Sequence, residues 1–199
     1  MFIAGLSEFL LIASLMLAAI RYPSVSPRIR SLYHLSIATT LSAALMGAFR
    51  YLEVADTLFW HKAFSFASKH LGMAGFIGIS LLSICRTTLE KRIIIGLMAI
   101  ATCSFVVNLF ASYPILSDAV IILLLGFGVH LFRSNMTAAT LVVMATAILL
   151  STLLWGAIIH DENIRLGVFH ACLSLFIVLF SQGVQHDRRA SISTSAQAI

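Results

Sequence analysis

Charge is what this chain has least of. Aspartate, glutamate, lysine and arginine together make up 11% of its 199 residues, whereas soluble domains carry about a quarter. So few charges cannot cover a water-facing surface, and the mean hydropathy of +1.00 excludes an ordinary soluble domain. The formal net charge of +5 would suggest nucleic acid in a soluble protein. Here the cations stand between apolar runs and read as membrane topology, so no nucleic-acid partner is expected. Proline is almost missing: of three, Pro23 and Pro27 share one turn and Pro114 lies in another, which leaves the apolar runs unbroken. Cysteine is equally rare. Cys85, Cys103 and Cys172 are odd in number and widely spaced, which excludes a disulfide framework and gives no CxxC pattern.

What is present is a series of apolar runs of the ~20 residues that a helix needs to cross ~30 Å of hydrocarbon. Seven spans can be drawn, at about Phe2–Ile20, Leu32–Tyr51, Leu58–Ile84, Ile93–Phe110, Ser117–Phe132, Met136–Ile159 and Leu166–Gly183. No cation precedes the first, which is therefore expected to stay in the membrane as a helix. The fold class expected is an all-α integral membrane protein with one transmembrane domain over residues 1–184 and a disordered cytoplasmic tail over 185–199.

The basic residues orient this bundle. Arg21, Arg28, Arg30, Arg86, Lys91, Arg92, Arg133, Arg188 and Arg189 fall on one side, and only Arg50 and Arg165 in the opposite links. The positive-inside bias puts the N-terminus outside and the C-terminus in the cytoplasm. Tyr51, Phe59, Trp60, Tyr113 and Trp155 then form an outer aromatic belt. The short loops suit a bacterial cytoplasmic (inner) membrane.

Ionisable groups at membrane depth cost roughly 2.5–3.5 kcal/mol each on insertion scales and mark function. Glu8, Arg50, Lys69 and His170 lie in the outer half of the spans, with His61, Lys62, His70, Asn108, Asp118, His160 and Asp161 as further members, and Glu53, Asp56 and Glu162 in the outer links. At helical spacing His61, Lys62, Ser65, Ser68, Lys69, Gly72 and Gly75 share one face, with His70 turned toward Phe66. Asn163, Gly167, His170, Ser174 and Ser181 form a stripe on the last span, and Ser31, His34, Ala38 and Ser42 a shorter one on the second.

A carboxylate, an imidazole and a lysine in low dielectric relay protons or hold an anionic group, so the first expectation is a small transporter, channel or proton-coupled carrier with an outward-facing polar site. Its partners are the bilayer and a lipid or small-molecule ligand, with self-association or a membrane-complex partner left open. Two alternatives stand beside it. One is a membrane-embedded enzyme acting on lipid or quinone, with zinc held by outer-link ligands or two haems held by His70 with His170 and His34 with His130. The other is an accessory subunit. The residues do not choose the cofactor: four after His170 comes Ser174, so no HxxxH pair forms, and neither HExxH nor GxSxG occurs.

Overall fold

A chain surrounded by hydrocarbon must satisfy each backbone N–H and C=O within its own segment, and helix is the solution open to a single segment. The computed structural model describes residues 2–21, 27–54, 57–72, 75–76, 79, 99 and 135–196, and among these residues helix is the only regular structure. In chain order the elements are α1 (Phe2–Arg21), α2 (Pro27–Tyr51), α3 (Thr57–Ala67) continued by a π-helical turn (Ser68–Gly72), α4 (Met136–Ile158) and α5 (Glu162–Ala196). Among the described residues four stretches are long and apolar enough to cross a membrane: Ile3–Ile20, Arg30–Tyr51, Met136–Ile158 and Glu162–His186. The fourth and fifth expected spans lie outside the described residues.

Local chemistry sets the helix ends. Asn135 caps α4, its Oδ1 accepting from the Ala138 N–H at 3.1 Å while its Nδ2 donates to the His186 carbonyl at 2.9 Å. Asp161 caps α5, its Oδ1 accepting from Ile164 N–H at 2.9 Å. α2 closes with bonds from Glu53 N to Arg50 O and from Val54 N to Phe49 O, both 3.1 Å, around Glu53 at φ 57°. That is a left-handed cap of the kind glycine usually supplies. α5 runs on to Ala196, past the point where a disordered tail was expected. No proline follows Gly183, and the Asn135 bond to the His186 carbonyl ties the end of the apolar stretch to the start of α4.

α1 packs on both α2 and α5, α5 packs on α4, and α2 packs on α3 and its π turn. Cross-helix contacts fix the directions. Ala4 meets Asn163 and Tyr33 donates to Ser181 Oγ at 2.9 Å and to Ala18 O at 3.1 Å, so α1 and α5 run parallel and α2 runs against them. Ser68 donates to Thr40 Oγ1 at 3.1 Å and Ser36 to the Gly72 carbonyl at 2.9 Å, so α3 runs against α2. The apolar core draws on α1, α2, α4 and α5: Leu11 and Leu15, Tyr33 and Ile37, Val142 and Ala145, Phe176 and Phe180. Phe76, beyond the π turn, stands edge-on to both Phe176 and Phe180 at ring separations of 5.3 and 5.4 Å, closing the bundle on α5.

Small residues let the backbones approach, the packing mode that membrane helices favour. A Cβ at Gly75 would meet Ser36 Oγ and lie 2.8 Å from the Leu32 carbonyl oxygen. The outward faces are apolar, with Leu6, Phe9, Ile20 and Leu154 all exposed.

Candidate functional site

The site begins with a helix end. The first N–H groups of any helix lack intrahelical acceptors. In α1 the Ala4 N–H finds one in Asn163 Oδ1 at 3.1 Å, which fastens α1 to the first turns of α5. A Cβ at Gly167 would come within 2.7 Å of Ile3 Cγ2, so α5 approaches closely there. One turn deeper, Ser7 and Glu8 face His170. Ser7 Oγ donates to Ala4 O at 2.7 Å and stands 3.1 Å from His170 Nδ1. Because the hydroxyl hydrogen is engaged with Ala4, the bonding assigns the proton to Nδ1 and turns Nε2 toward Glu8.

Glu8 Oε1 is 3.5 Å from His170 Nε2, with side-chain exposures of 3% and 12%. One proton can sit on either atom of this contact, giving acid with imidazole or carboxylate with imidazolium. Glu8 Oε2 is buried and without a hydrogen-bond partner. The carboxyl lies against α2 at Gly47, where an added Cβ would come within 2.7 Å of Glu8 Cδ and closer still to Oε1. His61 at the start of α3 is half-buried, and its Nδ1 is also buried and unpartnered. The site is thus a buried carboxyl and imidazole pinned between α1, α2 and α5.

The other expected members do not join it. Lys69 is exposed. Its neighbour Ser68 bonds Thr40, whereas Glu8 lies against Gly47, seven residues further along α2. At 1.5 Å per residue these levels are ~10 Å apart, so Lys69 stands too far along the bundle to face Glu8. Its charged head stays out where it needs no buried partner. Arg50 is also exposed, with its guanidinium carbon 5.9 Å from the Tyr51 ring centroid. It occupies the last turn of α2, where the helix dipole favours a cation. Lys62 and His160 are exposed, and the Asp161 carboxylate serves as the α5 cap. His70 is buried and packs against Phe66 at 4.4 Å between ring centroids. Asn108, Asp118, Asp56 and His130 lie outside the described residues.

The α2 stripe is corrected as well. Ser31, His34 and Ala38 are exposed, and the inward face carries Tyr33, Ser36, Thr40, Ala44 and Gly47. Among the described residues no three His, Cys, Asp or Glu come together as ligands for a metal ion. Both ring nitrogens of His170 face protein groups, which leaves neither turned to a haem shared with His70, and His34 is exposed while its expected partner His130 lies outside the described residues.

Sequence reasoning missed Ser7 and Gly47. Ser7 precedes the one acid of the first span, and Gly47 follows the small pair Ala43–Ala44 at helical spacing. Either could have been read as the partner and the wall of a buried carboxyl.

Among the described residues four helices are long and apolar enough to cross a bilayer, and three of them enclose a buried carboxyl, the features of a helical integral membrane protein. No family profile, no curated protein and no solved structure matches the chain.

Proposed function

We propose that the protein is a small proton-coupled carrier or channel of seven spans, with its N-terminus outside and its C-terminus in the cytoplasm of a bacterial inner membrane. The observation that carries the reading is the Glu8–His170 contact: a buried acid and base 3.5 Å apart, with one carboxyl oxygen unpartnered. A buried acid beside an imidazole can take up, hold and release a proton at membrane depth, the kind of group that marks proton relays in carriers. Two further features support the topology. The third helix runs away from the end where Glu8 lies and α4 runs back toward it, compatible with the two crossings expected of residues 93–110 and 117–132. Arg21, Arg28, Arg30, Arg188 and Arg189 all fall on helix positions at the far end, as a cytoplasmic face requires.

The test is proton movement in liposomes that enclose a pH-sensitive dye, driven by a potassium diffusion potential and repeated with candidate solutes. The wild-type chain acidifies or alkalises the lumen, and Glu8→Gln, which keeps shape but cannot release a proton, does not. Equal rates for wild type, Glu8→Gln and empty liposomes across the solutes tried would overturn the reading.

A further inference from the structure

The α4–α5 hairpin holds a second feature that proton transfer does not use. A groove of about 190 Å³ opens between the two helices, lined by Thr152, Trp155 and Gly156 of α4 and Arg165, Leu166 and Phe169 of α5. Gly156 leaves it open, since a Cβ there would meet nothing within 4 Å. Arg165 is its one charged lining residue, is exposed, and makes no ion pair among the described residues. The nearest acids on its own helix lie one turn back, and Asp161 is occupied in capping Ile164. The groove therefore has a cationic mouth at the helix ends and an apolar floor. Its lining reaches Thr152, seven residues before Ile159, or ~10 Å along the helix axis.

The geometry points to an anionic phospholipid as the occupant: its phosphate on the Arg165 guanidinium and the first carbons of an acyl chain over Gly156, Leu166 and Phe169. A guanidinium holds phosphate through paired, charge-assisted hydrogen bonds, and the Trp155 indole supplies a further N–H donor at the interfacial depth that tryptophan favours. The apolar floor excludes a free phosphate ion as the natural ligand, because it gives such an ion nothing to bury. This inference rests on the membrane reading and not on proton coupling, and its readout is lipid retention alone.

The test is native mass spectrometry of the full chain, delipidated in detergent and titrated with phosphatidylglycerol or phosphatidylcholine. Wild type should retain phosphatidylglycerol more tightly than phosphatidylcholine. Arg165→Gln should weaken phosphatidylglycerol about tenfold, the effect of one charged hydrogen-bonding partner. Gly156→Leu, on an open face where it leaves folding intact, should displace both lipids by filling the groove. Inorganic phosphate should fail to compete. Equal retention of the two lipids by wild type would overturn the proposal. So would unchanged phosphatidylglycerol retention in both variants, or displacement of the lipid by inorganic phosphate.

Discussion

Replacing Glu8 and His170 singly and together by leucine measures what their contact contributes. The separation of 3.5 Å sets the scale. Two unit charges at that distance attract by about 5 kcal/mol at an effective permittivity near 20. A neutral acid–imidazole hydrogen bond contributes about 1 kcal/mol. Both side chains are almost wholly buried, so solvent screening does not reduce either figure much. Each single variant strands a buried polar partner, at a cost of about 1–3 kcal/mol for a neutral group or about 3–5 kcal/mol for a charge. The double variant strands neither, so it should be more stable than at least one single, with a favourable coupling in the cycle. Coupling near 1 kcal/mol marks a shared proton in a neutral pair, and coupling above about 3 kcal/mol marks separated charges. The measurement is reversible unfolding in mixed micelles followed by far-ultraviolet circular dichroism. A coupling within about 0.5 kcal/mol of zero is plain additivity and would mean that the two groups do not act as a pair.

Other perturbations address the frame around the pair. Gly47→Ala should drive a methyl into the Glu8 carboxyl, lowering stability by about 1–3 kcal/mol as overpacking does and abolishing proton movement; wild-type behaviour in both assays would show that the wall is soft. Gly75→Ala should cost a similar amount, since its new Cβ meets a backbone carbonyl that cannot turn aside, and a thermal melt checks it. Glu53→Gly should raise stability by about 1 kcal/mol by relieving the left-handed backbone at φ 57°, which denaturant titration can resolve. Lys69→Gln should leave stability within about 0.5 kcal/mol of wild type, because its side chain is exposed away from Glu8; a loss of activity with the fold intact would restore the lysine to the site.

Much of this architecture could be read from residue order. The apolar runs at 3–20, 30–51, 136–158 and 162–186 became helices because hydrocarbon length and backbone satisfaction leave no other solution. Glu8 and His170 could be singled out because an ionisable group inside such a run has few places to go. Depth alone could not say which buried groups meet. Lys69 and Glu8 both belong to the embedded set, yet they stand at different levels of α2, and only the pairing of Ser68 with Thr40 and of Glu8 with Gly47 reveals the offset. The second span misled for a related reason. Ser31 and Ser42 match Ser36 in size and polarity, so residue type alone could not say which face of the helix turns inward. Packing chose the face that carries Ser36, Thr40 and Gly47: Ser36 donates to the Gly72 carbonyl, Thr40 accepts from Ser68, and Gly47 leaves room for the Glu8 side chain.

The position of α1 explains why a carboxyl can be kept at this depth. α1 is the helix that packs on both α2 and α5, so Glu8 has Gly47 on one flank and His170 on the other. Asn163 and Ser7 fasten the α5 flank through the first turn of α1. On the α2 side Glu8 meets bare backbone, and Oε2 bonds to nothing. A small slide of α2 along α1 would therefore change the surroundings of Oε2 while leaving the His170 contact in place. In the proposed carrier, an acid held on one flank and free on the other would bind its proton differently in the two positions of α2, which is how a helix movement is coupled to proton exchange. A carboxyl buried merely for structure would be expected to have both oxygens satisfied. Infrared spectra of the wild type recorded with and without a membrane potential decide between these. A carboxyl band that shifts with potential, and vanishes in Glu8→Gln, supports a moving wall; a band indifferent to potential makes Glu8 a static strut.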